Sequence, residues 1–88
     1  MQDTTFLVEH YLPGRRLAEL ETFARTLQAS QAIRVLQTTI VPTDESVLCV
    51  IAATSEHAAR DAYARAGIQF DRMSTAIAHT PEGGCNAR

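Results

Sequence analysis

His10 is the residue of this chain best suited to acid–base or ligand chemistry, since an imidazole changes charge near neutral pH and can coordinate a metal. It falls within Thr5 to Leu12, where Phe6, Val8, His10 and Leu12 alternate with Leu7, Glu9 and Tyr11. Sharing a strand face with apolar neighbours, it reads first as a hydrogen-bonded core or interface histidine and second as a general base or ligand contact. Gln37 and Thr39, on a second strand, and Thr75, on the last, make a polar patch beside it if they line the same face. Such a patch orients a small ligand or closes on itself as a satisfied network. Tyr63, the one large residue on an alanine-rich helical face, is a further group able to orient a substrate near His10. Arg72, next to Asp71, either fixes the entry to the last strand through local bonds or clamps a ligand carboxylate with its planar fork of donors.

The other reactive types read more plainly. Glu9 lies opposite His10 on its strand, where a solvated or salt-bridged carboxylate is the ordinary state. Asp44 and Glu45 sit in a connector and are read as turn residues before a cation pair. His57 and His79 have no histidine at metal-binding spacing. Cys49 and Cys85 show no CxxC spacing, so both are read as reduced, with Cys49 a small buried hydrophobe. No nucleophile elbow, phosphate loop or dinucleotide fingerprint occurs.

The elements that must hold these residues are legible from periodicity. The first strand stops at Pro13-Gly14. Leu17, Leu20, Ala24 and Leu27 then fall on one helical face, with Gly14 or Arg15 as the weak cap. Ile33 to Val41 and Val47 to Ala53 are β-rich and joined by a five-residue connector, which fits an antiparallel hairpin. Thr54 or Ser55 caps a second helix carrying Ala58, Ala59, Ala62, Tyr63 and Ala66 inward, and Gly67 ends it. A last strand runs from about Arg72 to His79. The order β-α-β-β-α-β predicts an α+β, ferredoxin-like domain: a four-stranded antiparallel sheet with two helices on one face. Residues 1–80 form the single domain and 81–88 a flexible tail. Both sheet faces are partly apolar while two helices cover only one, so a second copy is expected on the other, giving a dimeric α+β barrel.

With 88 residues there is room for one core only. The formal net charge is -2, and the eight basic residues, all arginine, form no stripe, which argues against nucleic-acid binding. The longest apolar run, Val47 to Ala53, is far short of a membrane span. The amino terminus lacks the layout of a secretory signal, so the cytoplasm is the expected compartment.

Three runs, Leu7 to Gly14, Val41 to Cys49 and Arg65 to Arg72, resemble in order and spacing a bacterial family of small ferredoxin-like proteins of largely unknown function grouped with small nickel-binding proteins. The resemblance covers nearly everything from Phe6 to Ile77. It implies a ferredoxin-like homodimer and, for one subgroup, nickel held by histidines near positions 10, 37, 63 and 68. Those positions here hold His10, Gln37, Tyr63 and Ile68, and a single imidazole gives little nickel affinity. The expectation is therefore a small homodimeric binding protein for a small-molecule ligand, with no cofactor and with nickel as the lesser candidate. The alternative is a cofactor-independent isomerase or oxygenase-like enzyme using His10 as acid or base.

Overall fold

The computed structural model describes residues 3–77 and His79; the predicted tail at 81–88, with Cys85, lies outside the described residues. The elements run β1 (Thr4–Tyr11), α1 (Leu17–Ala29), β2 (Arg34–Val41), β3 (Ser46–Ala53), α2 (Glu56–Ala66) and β4 (Arg72–Ala76). All strand pairs are antiparallel, in the spatial order β2-β3-β1-β4. This is the ferredoxin-like α+β arrangement that the alternation of strand and helix periods predicts.

Local chemistry fixes the boundaries. The Ser55 hydroxyl accepts from the Ala58 N–H at 3.0 Å, satisfying a helix N-terminal donor. Gly67 ends α2 at φ 70°, a left-handed conformation that glycine adopts without a Cβ penalty. The cap of α1 lies beyond both expected positions, Gly14 and Arg15. Arg16 takes the cap position, and the Glu19 carboxylate reaches back to accept its N–H at 2.8 Å. The β2–β3 connector folds into a 3-10 turn, Pro42–Asp44, closed by Glu45 at φ 53°. Strand β4 stops at Ala76 instead of reaching His79. Ala76 already pairs with Thr5, near the beginning of β1, so the ladder runs out of partners.

The helices cover one face of the sheet. Phe6, Val8 and His10 of β1 and Val47, Cys49 and Ile51 of β3 are buried there against Leu20, Ala24 and Leu27 of α1 and Ala59 and Tyr63 of α2. On the alanine-rich face of α2, Ala59 and Tyr63 are buried, and Ala58, Ala59 and Ala62 line a cleft of 260 Å³ beside the ends of β2 and β3. The opposite face of the sheet carries Leu7, Glu9 and Tyr11 from β1 and Leu48 and Val50 from β3. Truncating the α2 cap, Ser55→Ala, is expected to lower stability by about 1 kcal/mol in urea unfolding; an unchanged midpoint would show that the cap contributes nothing.

Candidate functional site

Period-two alternation along β1 turns His10 toward the helices, where the residue is 1% exposed. Its Nδ1 lies 2.9 Å from the Val47 carbonyl oxygen on β3. A carbonyl only accepts, so Nδ1 carries the proton and donates. The Nε2 atom is then the acceptor, and the Tyr63 hydroxyl on α2 donates to it at 3.1 Å. Aromatic contacts close the ring on both sides. Phe23 of α1 meets it edge-on at 5.0 Å between centroids, and Tyr63 lies stacked at 5.6 Å. Phe70 backs Tyr63 at 5.2 Å and receives the Arg60 guanidinium at 5.4 Å from its ring centroid.

The electrostatics keep this cluster neutral. Burial pushes the His10 pKa below the ordinary value, and the Val47 carbonyl and the charge of Asp71 only partly offset it. Burial raises the Cys49 thiol, which lies beside the Tyr63 hydroxyl and Thr38. Burial raises Tyr63 as well, with the Cys49 thiol adding to the shift. None of the three is set up to ionise at neutral pH. The arrangement is a satisfied hydrogen-bonded core with both imidazole nitrogens committed, and it leaves no ring atom for proton transfer to a substrate.

The expected patch around His10 is only partly assembled. Tyr63 joins it. Gln37 and Thr39 do not, because the register slips between Val35, paired with Ile51, and Gln37, paired with Val50. Leu36 and Gln37 together oppose the single residue Val50, a β-bulge that reverses the alternation of the strand. After the bulge Thr38 and Ile40 share the face of Cys49 and Val47, while Gln37 and Thr39 join Val50 and Leu48 on the uncovered side. Thr75 pairs with Phe6 and so lies four residues along β1 from His10, at an exposed position. Arg72 pairs in register with Glu9 on the uncovered face, its guanidinium 3.8 Å from that carboxylate. The entry to β4 is held by Asp71: its N–H donates to the Glu9 carbonyl at 2.8 Å, and its carboxylate accepts the Tyr11 N–H at 2.6 Å. Val47 and Phe23 are the partners that sequence reasoning missed. A backbone carbonyl leaves no side-chain signal, and Phe23 differs in no local way from any other apolar helix residue.

A hollow of 530 Å³ opens beyond this end of β1, lined by Glu9, His10, Tyr11, Thr43, Ser46 and Asp71, among others, with His10 itself only 1% exposed. Its carboxylates do not converge: among the described residues no group of three or more His, Cys, Asp or Glu side chains is placed to hold a metal ion. No helix among the described residues is long and apolar enough to cross a membrane. No family model matches the chain, and neither a curated protein nor a solved structure does.

Two outcomes follow for the buried cluster. Tyr63→Phe removes the hydroxyl that donates to the buried Nε2 and is expected to cost about 1–3 kcal/mol in chemical denaturation; a cost near zero would mean that the bond is not formed. His10 binds a proton less readily folded than unfolded, so its contribution to stability is complete above the ordinary value of 6.5 and is lost as pH falls below it toward the lowered folded value. Stability measured against pH should therefore drop below about 6.5 with a slope approaching about 1.4 kcal/mol per pH unit, and His10→Phe should remove that component. An unchanged slope in the variant would refute the assignment.

Proposed function

We propose that the chain is a small homodimeric ligand-binding protein. One observation carries this reading: the helices cover a single face of the sheet, and the other presents Leu7, Leu48 and Val50, each half-buried, together with half-exposed Tyr11 and Leu36. An apolar face of this kind on a small domain marks an association surface, and two-fold pairing of identical chains is the commonest way to cover one. The sequence resemblance to nickel-binding-like proteins points to the same homodimeric assembly. The 530 Å³ hollow beside that face falls in the range of small-molecule sites and offers hydroxyl and carboxylate oxygens to a ligand.

Nickel is the weaker candidate ligand. His10 is the one imidazole retained from the histidines that the resemblance implies, and both of its nitrogens are already bonded inside the core. The acid–base alternative needs a free ring nitrogen, which His10 does not have.

Sedimentation of the full chain at micromolar concentration should give twice the 9.6 kDa monomer mass. A 9.6 kDa particle at every concentration contradicts the homodimer. Calorimetric titration of tag-free protein with nickel chloride should give no more than heats of dilution. Saturable heat would return nickel to the centre of the reading.

A further inference from the structure

We infer that His10 is an acid-operated latch on α2: when Nε2 of the imidazole takes up a proton, its bond with the Tyr63 hydroxyl is lost, and α2 lifts from the sheet while α1 and the strands stay folded.

Helix α2 has a light grip on the core. The side chains it buries are Ala59 and Tyr63, with Ala58, Ala62 and Ala66 half-buried. Helix α1 buries Leu20, Ala24 and Leu27 and sets Phe23 against the same core. Apolar stabilisation scales with the area removed from water, so a face of alanines holds far less than one built on leucines. Tyr63 is therefore the anchor of α2. Among the described residues its bond to His10 is also the one side-chain hydrogen bond that ties this helix to the sheet.

Protonation acts on that anchor. Because Nδ1 already donates to the Val47 carbonyl, an incoming proton goes to Nε2, where the Tyr63 hydroxyl donates. Two donors then face each other at 3.1 Å, and the hydroxyl is left with the neighbouring Cys49 thiol, a weak acceptor. The imidazolium also lacks a counter-charge: among the described residues no carboxylate lies within ion-pair distance of the ring. The groups around the pair are the Cys49 thiol of β3, Thr38 of β2, the Phe23 ring of α1 and Asp71 ahead of β4, whose carboxylate already accepts the Tyr11 N–H. A buried charge without a partner is costly, and water is the remaining way to solvate it. Withdrawal of Tyr63 admits that water. The carboxylates of Asp44, Glu45 and Asp71, around the hollow that His10 also lines, favour the cation once it is wet.

Amide hydrogen exchange of the full chain, followed by NMR from about pH 7.5 to about pH 5.5 and corrected for intrinsic rates, tests this. The opening constant of the α2 amides should exceed that of the α1 and β3 amides by about tenfold or more at each pH. It should also rise by up to about tenfold per pH unit below about 6.5, since opening takes up one proton. One opening constant shared by α1, α2 and β3, or an α2 constant indifferent to pH, overturns the latch. His10→Phe and His10→Gln do not titrate, and each should abolish the pH dependence; either one that folds, by circular dichroism, decides. His57, exposed in the first turn of α2, is the other imidazole of that helix, where a positive charge opposes the helix dipole. His57→Gln should leave the dependence intact; its loss there, or its survival in a His10 variant, overturns the inference. A readout on the unmodified chain needs no variant: the His10 ring nitrogens should titrate together with the release of α2. An imidazolium signature on His10 with α2 still protected overturns the latch.

Discussion

Two helices rest on one side of a four-stranded sheet, and the strict alternation of side chains along β1 and β3 then decides what each residue can do. On β1, Phe6, Val8 and His10 go under the helices while Leu7, Glu9 and Tyr11 face away. A slip of one residue would put Glu9 in the core and expose Phe6 and Val8, so the register is fixed by burial. Everything of chemical interest follows from that sorting. His10 becomes a member of the core, and Glu9 and Arg72 become partners on the far side, separated from it by the sheet.

Inside the core, the cost of burying an imidazole is met by using both of its nitrogens. One bond crosses from β1 to the β3 backbone and the other rises to α2, so a single side chain ties two strands to a helix. Phe23 completes the enclosure from α1. A histidine so held is neutral and immobile, the opposite of the exposed, adjustable group that proton transfer requires. The apparent reactivity of the Cys49, Tyr63 and His10 trio therefore becomes a question of stability.

Much of the architecture was legible in the sequence because period and punctuation agreed. Ser55, the alanine-rich face and Gly67 bracket α2 within a residue, and the β-branched runs mark β2 and β3. The placement of Tyr63 beside His10 was open to the same reasoning, since both lie on apolar faces that must meet. The bulge at Leu36 was not legible. Nothing in Val35-Leu36-Gln37 departs from an ordinary strand, and its cause is tertiary: the slip lets Ile33 and Val35 on one side of it and Ile40 on the other all pack against the core. That single inserted residue moved Gln37 and Thr39 away from His10 and dissolved the expected polar patch. The early end of β4 was likewise hidden, because it is set by where β1 begins and not by its own residues.

His10 is a neutral, proton-on-Nδ1 imidazole locked into the fold. Long-range proton–nitrogen correlation spectra of the full chain at neutral pH read this directly. A protonated, pyrrole-like Nδ1 and an unprotonated Nε2 are expected. A proton on Nε2 with Nδ1 free, or an imidazolium signature on both nitrogens, would contradict it.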